Sequence, residues 1–208
     1  MYTLYARVGS GSAVVEAVLA ECGIAFDLVE VPRSGPAYES FLSLNPNGKV
    51  PALLLPDHSF MTESAAMVIY LADLYSEAGL APAISSPSRA QYLRWLLYFA
   101  TEVYMADLRY YYPARHSVDA DASEGIKAQS VIDLDGQFSM FANALGKGPY
   151  ILGEAFSAAD IYAALLASWV PDIKALFAKH PNIKRHYDLV AAQPKILPVW
   201  KRNDMLFS

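Results

Sequence analysis

The sequence lacks the features that define several large classes of protein. Its single cysteine, Cys22, excludes an internal disulfide and any metal site built on several cysteines. Its four histidines show no metal-ligand spacing, so we expect no bound metal. No apolar run reaches the roughly 18 to 20 residues that span a bilayer. The first residues also lack the basic region followed by an apolar stretch that is typical of a signal peptide. These absences predict a cytoplasmic protein that does not cross a membrane.

Charged residues are also scarce, at 18% of the 208 residues against 54% apolar. This composition is typical of a chain that folds around a substantial core. The net charge of −5 argues against nucleic acid as a main partner. It leaves room for a local basic patch that binds an anionic ligand.

Short β-prone runs and helical patterns occupy the first 80 residues. The first helix, which Ser12 can cap, carries apolar residues at i, i+3, i+4 and i+7 and ends at Gly23. We predict strands at 2–5, 26–31, 52–55 and 59–61, with further helices at 38–44 and from Ser64 to Ala78. The order βαβαββα matches a thioredoxin-like α/β domain at 1–80.

The rest of the chain contains no strand pattern. Residues 81–88 are rich in Pro and Ser and predict a linker. Ser86-Pro87 favours the start of a long helix that runs to Tyr112, and a second helix is predicted from Ser123 to Leu145. Ser157-x-x-Asp160 resembles a capping box ahead of an apolar helix, and two shorter helices flank His180-Pro181. An all-α domain at 89–208 follows.

The most informative stretch runs from Asn45 to Ser64 and begins Asn-Pro-Asn-Gly-Lys-Val-Pro. Proline is tolerated at the first residue of a strand, so Pro51 leaves the backbone of Val50 available to an extended peptide. Glu63-Ser64 opens a helix, whose free N–H groups and partial positive charge suit a carboxylate. The pattern predicts a receptor for a small, acidic, extended peptide.

Together with its spacing, this motif resembles the glutathione-binding half of the cytosolic glutathione S-transferase superfamily, and the resemblance covers nearly the whole chain. It implies a cis Val50-Pro51 bond, with Val50 pairing with the cysteinyl backbone of the co-substrate glutathione. It also implies that Glu63 and Ser64 hold the γ-glutamyl end. Lys49 is expected to reach the glycyl carboxylate or the glutathione backbone, and the family pattern implies a homodimer.

A glutathione transferase must also stabilise the thiolate of glutathione, whose free thiol has a pKa of about 8.5. Lowering that pKa by about two units requires roughly 2.7 kcal/mol, which one hydroxyl hydrogen bond to the anion and a helix N-terminus can supply. Ser10 ranks narrowly above Tyr5 as the donor. Ser12 contributes less if its oxygen caps the helix. Bacterial members of the beta class carry a cysteine where this chain has Gly11, which excludes mixed-disulfide chemistry at this position.

A dense aromatic run lies on the long helix of the second domain. In the family this helix lines the pocket for the second, apolar substrate. The residues that we expect there are Tyr98, Tyr104, Arg109 and Tyr111. Helix–helix core packing accounts for some of the run, and Trp169 has a weaker claim.

The expected function is therefore a detoxifying glutathione transferase that attacks a small apolar electrophile. A non-catalytic binding module or carrier of apolar ligands is the alternative from another class. A glutathione-dependent isomerase or ether-cleaving enzyme is the third. The intact Pro51, Glu63 and Ser64 favour the transferase.

Overall fold

A computed structural model describes residues 1–207, and the first part of the chain has the predicted order βαβαββα. Its elements are β1 (Tyr2–Ala6), α1 (Ser12–Glu21), β2 (Phe26–Glu30), α2 (Pro36–Leu44), β3 (Ala52–Leu54), β4 (Phe60–Met61) and α3 (Ser64–Leu74). The third helix was predicted to reach Ala78. It ends at Leu74 instead, and a separate 3₁₀ turn at Ser76–Ala78 leads to Gly79 in the left-handed region.

The four strands form one mixed sheet in the order β2-β1-β3-β4. β1 runs parallel to β2 and antiparallel to β3, with Tyr5 opposite Ala52. β4 is antiparallel to β3, with Met61 opposite Leu53. The loop after β1, the loop before β3 and the segment after β4 therefore lie at the same end of the sheet.

Residues alternate between the two faces of β1. Leu4 and Ala6 are buried, whereas the ring of Tyr5 lies on the opposite face and contacts Phe41 of α2. α1 packs against β1 and α3, and it is buried continuously from Ser12 to Leu19. The start of α1 is thus fixed from several sides.

The second part of the chain is helical, as predicted. Its helices are α4 (Arg89–Tyr98), α5 (Tyr104–Tyr111), α6 (Ser123–Leu145), α7 (Ala158–Ala167), α8 (Ile173–Lys179) and α9 (Pro181–Ala191). The predicted long helix is α4 and α5 joined by one π-helical segment, Phe99–Val103. It begins at Arg89 because the preceding serines, Ser86 and Ser88, bond to each other in a turn. In the part of the chain that the structure covers, no helix is both long and apolar enough to cross a membrane.

The predicted capping box at the start of α7 is present. One Asp160 carboxylate oxygen accepts hydrogen bonds from the backbone N–H and the hydroxyl of Ser157, at 2.9 and 2.8 Å. The other accepts from the Ile151 N–H at 2.8 Å and lies 3.0 Å from His186 Nε2. Asp160 therefore ties together three separate segments of the helical part.

A last helix, α10 (Ile196–Arg202), was not predicted. The chain divides into two compact units: 1–83 with the segment from Ala191 onward, and 84–190. The predicted second domain, 89–208, therefore loses its final segment to the first unit. The reason is that α10 packs on α1 and buries Ile196, Val199 and Trp200.

Candidate functional site

Two hydroxyl groups and one carbonyl group organise the loop between β1 and α1. Ser10 Oγ donates to the Arg7 carbonyl oxygen at 2.8 Å and lies 2.8 Å from Ser12 Oγ. Ser12 Oγ also donates to the Arg7 carbonyl, at 3.1 Å, and accepts from the Arg7 N–H at 3.2 Å. Ser12 is fully buried, whereas Ser10 is partly exposed. Ser10 is thus the more accessible of the two serines.

The prediction that Ser12 caps α1 is wrong. The helix begins at Ser12 itself, and Gly11 occupies the cap position with a φ of −59° and no capping side chain. The Ser12 oxygen is engaged by Arg7 instead, across the loop. Two backbone N–H groups here are also engaged: that of Ser10 with the Arg7 carbonyl and that of Ser12 with Ser10 Oγ, both at 3.3 Å. This favours the Ser10 hydroxyl over these two N–H groups as the donor to an anion.

Tyr5, the rival donor, has a well-packed ring. Its centroid lies 5.4 Å from that of Phe41 and 6.0 Å from that of Phe60. Both contacts belong to the apolar cluster around Val31 and Ala52. The ring of Tyr5 thus has a packing role of its own, which favours Ser10 as the donor.

The Val50-Pro51 bond is cis, as predicted. The loop ahead of it is closed by the buried side chain of Asn45, whose Nδ2 donates to the Lys49 carbonyl at 2.8 Å. The Lys49 side chain is exposed. Gly48 has a φ of +61°, and a Cβ atom there would lie 2.3 Å from the Tyr38 hydroxyl oxygen. Only glycine fits this position. The loop is therefore held both by the hydrogen bond from Asn45 and by the close packing of Gly48 against Tyr38.

Val50 stands immediately before the sheet. The pairing of β3 with β1 starts at Ala52, so the backbone of Val50 lies outside the ladder. Its side chain packs against the cluster of Val31, Phe41 and Ala52. Val50 is anchored by its side chain while its backbone stands where an extended peptide can pair with it.

Glu63 has an unusual backbone conformation at the start of α3. Its φ is +68° and its ψ is 102°, a region that costs a non-glycine residue about 1–3 kcal/mol and is concentrated at functional sites. Its side chain is exposed, and its carbonyl accepts from the Met67 N–H at 3.0 Å. Ser64, partly exposed, is the first residue of the helix. A carboxylate and a helix N-terminus thus stand side by side, suited to the ammonium and the carboxylate of an amino acid.

The four residues predicted to line an apolar pocket separate into two pairs in the helical unit. The Tyr98 hydroxyl lies 3.5 Å from the Gln137 carbonyl, and Arg109 forms a 3.1 Å ion pair with Asp133, so both contact α6. The other pair, Tyr104 and Tyr111, contacts Trp169. The Tyr104 ring makes an edge-to-face contact with the Trp169 ring at a centroid distance of 5.2 Å, and the Tyr111 hydroxyl donates to the Trp169 carbonyl at 2.6 Å. Tyr104 and Tyr111, with the partly exposed Trp169, form the stronger aromatic candidate surface.

Sequence reasoning missed a group of polar residues beside the serine loop. The N–H of Gly9 donates to Asn203 Oδ1 at 3.2 Å, and Asn203 and Arg202 both bind Glu16 of α1. Glu16 and Asn203 are 187 positions apart in the chain. No local pattern in the sequence indicates such a contact.

A mixed sheet of this order, with a cis proline ahead of β3 and a helical unit after it, is the architecture of the glutathione transferases. Two family models match: "Glutathione S-transferase, N-terminal domain" at residues 12–74, and "Glutathione S-transferase, C-terminal domain" at 71–194. The chain belongs to the glutathione S-transferase family.

Relatives of full length support this assignment. An uncharacterized GST-like protein, YncG of Escherichia coli strain K12, is 30% identical over 99% of this chain and 100% of its own. Glutathione S-transferase GstA of Escherichia coli O157:H7 is 29% identical over 93% of this chain and 94% of its own.

Solved structures agree and confirm the predicted fold class. A glutathione transferase homolog from Sulfitobacter, with bound glutathione, has a TM-score of 0.87 and 28% identity over 99% of both chains. A sphingomonad glutathione S-transferase complexed with glutathione has a TM-score of 0.82 and 27% identity, over 98% of this chain and 100% of its own.

Proposed function

We propose that this protein is a glutathione transferase that binds glutathione on its first unit and activates the thiol with the hydroxyl of Ser10. The observation that carries the proposal is the register of the sheet, which brings three loops to one end. These loops carry Ser10, the cis Val50-Pro51 bond and Glu63-Ser64 respectively. Each one suits a different part of a γ-glutamyl tripeptide.

The backbone of Val50 would pair with the cysteinyl residue of glutathione and set its position. The carboxylate of Glu63 would take the γ-glutamyl ammonium, and Ser64 at the start of α3 would take the carboxylate. The exposed Lys49 would neutralise the carboxylate at the glycyl end. This pose would direct the cysteinyl sulfur toward the loop of Ser10, Gly11 and Ser12, where Gly11 presents no side chain to obstruct it.

The Ser10 hydroxyl would donate to the sulfur in place of the Arg7 carbonyl. A hydrogen bond to an anion contributes about 1.5–3 kcal/mol, or about one to two units of thiol pKa. The N-terminus of α1 adds up to about 1 kcal/mol, and its first turn holds no acidic residue to oppose the effect. Ser12 continues to donate to the Arg7 carbonyl, so that carbonyl stays paired when Ser10 turns to the sulfur.

The thiolate would then attack an electrophilic carbon of an apolar substrate. The sulfur lone pair forms the new S–C bond, and the leaving group departs with the bonding electrons while the thiol proton has already gone to solvent. Within the helical unit, Tyr104, Tyr111 and Trp169 are the residues that we propose for binding an apolar ligand. Tyr98 and Arg109, which bind α6, would act there as structural supports.

We also propose a homodimer, because α4 and α6 expose large apolar side chains. Leu97 is 52% exposed, and Ile132 and Met140 are 64% and 47% exposed. Light scattering at micromolar concentration should give twice the mass of one chain. A monomeric mass would contradict this proposal.

Isothermal titration with glutathione tests the binding step. The wild type should bind, and Glu63→Gln should weaken binding by about 10- to 100-fold, the loss of one charge-assisted hydrogen bond. Glu154→Gln, a change to another exposed carboxylate that lies in the other unit, is the matched control and should bind like the wild type. No heat of binding up to several millimolar would contradict the proposal. Binding without conjugation of any activated halide would instead favour a non-catalytic module.

A further inference from the structure

The serine loop is connected to the far end of the chain through Gly9. Its N–H donates to Asn203 Oδ1 at 3.2 Å, and Asn203 directly follows α10 in the same compact unit. Gly9 has a φ of +69°, in the left-handed region that favours glycine, and it directly precedes Ser10. The contact therefore holds the backbone at Gly9, the turn that sets the direction of the chain immediately before the candidate thiol donor.

The orientation of the Asn203 amide is itself fixed. Asn203 is 1% exposed, and its Nδ2 donates to the Val199 carbonyl at 2.9 Å and to Glu16 Oε2 at 3.2 Å. With both amide protons used in this way, the carbonyl oxygen of the side chain faces Gly9. A reversed amide would place an NH₂ group against an N–H group and lose these bonds.

Glu16 completes the arrangement on α1. It is 6% exposed. Its Oε1 accepts from Arg202 Nε, and its Oε2 accepts from a terminal nitrogen of the same guanidinium and from Asn203 Nδ2. A buried carboxylate with three donors is well satisfied and rigid. Glu16 thus connects the helix that starts at the serine loop to the residue that holds Gly9.

We propose that Asn203 is a positioning residue for thiol activation: by anchoring the N–H of Gly9, it directs the Ser10 hydroxyl toward the sulfur of bound glutathione. This inference rests on the proposed function, in which Ser10 donates to the thiolate. Asn203 itself does not touch the thiol. Its effect on thiol ionisation must therefore pass through Ser10.

A double-mutant cycle tests this dependence. The ultraviolet absorbance of bound thiolate is followed against pH in the wild type, Asn203→Ala, Ser10→Ala and the double variant. Asn203→Ala should raise the pH of thiol ionisation by about half a unit to one unit, less than Ser10→Ala. In the Ser10→Ala background the same change should add nothing, because the group through which it acts is gone.

A matched control separates positioning from a general loosening of α10. Ile196→Val removes one methyl group from the buried side of that helix and leaves the polar contacts in place. It should lower the melting temperature without shifting the thiol ionisation. An equal shift in Ile196→Val, or additive shifts in the cycle, would overturn the proposal.

The wild-type protein supplies an independent check should Asn203→Ala not fold. The Gly9 amide should exchange with deuterium as slowly as the amides of α10, because it is hydrogen bonded to a buried acceptor. Exchange at the rate of an open loop would overturn the proposal. Absence of any bound thiolate in the wild type would refute the proposed function itself and this role with it, whereas a normal wild-type titration without an Asn203 effect refutes the positioning role alone.

Discussion

Ser10 Oγ and Ser12 Oγ lie 2.8 Å apart, and both hydroxyls lie within hydrogen-bonding distance of the same Arg7 carbonyl oxygen. This arrangement gives the carbonyl two hydroxyl donors. One of them can leave for a ligand while the other stays. The buried serine would thus keep the carbonyl paired when, in the proposed function, the partly exposed serine turns to the thiolate.

Ser12→Ala tests this division of roles. The pH of thiol ionisation should rise, but by less than in Ser10→Ala, because Ser12 acts on the sulfur only through Ser10. The free energy of unfolding should also fall by about 1–3 kcal/mol, since the N–H of Arg7 loses its acceptor. Urea unfolding measures the second effect. Ser88→Ala, from the similar but exposed Ser86–Ser88 pair, should change stability by less than about 0.5 kcal/mol.

Asn45→Ala tests how the docking edge is held. Loss of the bond from Asn45 Nδ2 to the Lys49 carbonyl should destabilise the protein by about 1–3 kcal/mol and weaken glutathione binding several-fold, because Val50 follows directly. Titration calorimetry and urea unfolding measure the two effects. Asn47→Ala, an exposed neighbour in the same loop, serves as the control. Unchanged affinity in a destabilised Asn45→Ala protein would separate Asn45 from the site.

The sequence predicts the features that are local. The βαβαββα order and the capping box of Ser157 and Asp160 each follow from residues a few positions apart. The cis bond at Val50-Pro51 was predicted from the resemblance of the surrounding motif to the family. The positive φ of Glu63 was not predicted, because a glutamate side chain does not itself require this backbone conformation.

Long-range contacts lie outside what a pattern can indicate. α10 joins the first unit by packing on α1, and the bond from Gly9 to Asn203 joins residues 194 positions apart. The helical periodicity of α5 does not indicate that Arg109 forms an ion pair with Asp133 of α6. Nor does it indicate that the Tyr111 hydroxyl bonds to the Trp169 carbonyl. These partners depend on how whole helices dock.

Asp107 of α5 provides a pH test of stability. It is 1% exposed, its carboxyl oxygens have no hydrogen-bond partner among the described residues, and burial raises its pKa well above the usual range. An acid whose pKa is higher in the folded state than in the unfolded one binds more protons when folded, so its contribution to stability falls as pH rises above about 4. Asp107→Asn should therefore gain stability relative to the wild type between pH 5 and pH 8. If the urea midpoints of the variant and the wild type differ by the same amount at pH 5 and at pH 8, this prediction is contradicted.

Asp160→Asn tests the junction that holds the helical unit together. The buried carboxylate accepts from Ile151, Ser157 and His186, and an amide supplies only one acceptor oxygen for these donors. The free energy of unfolding should fall by about 3–5 kcal/mol. The control is Asp172→Asn. Asp172 is an exposed residue that caps the start of α8, and its replacement should cost at most about 1 kcal/mol. Similar losses in both variants would contradict the junction role.

The most direct test of thiol activation is the ultraviolet absorbance of bound glutathione thiolate against pH in the wild type, Ser10→Ala and Tyr5→Phe. In the wild type the bound thiol should ionise well below the value of about 8.5 for a free thiol. Ser10→Ala should raise that pH by about one to two units, and Tyr5→Phe should leave it nearly unchanged. A shift in Tyr5→Phe with none in Ser10→Ala would contradict the account and move the role to the phenol of Tyr5.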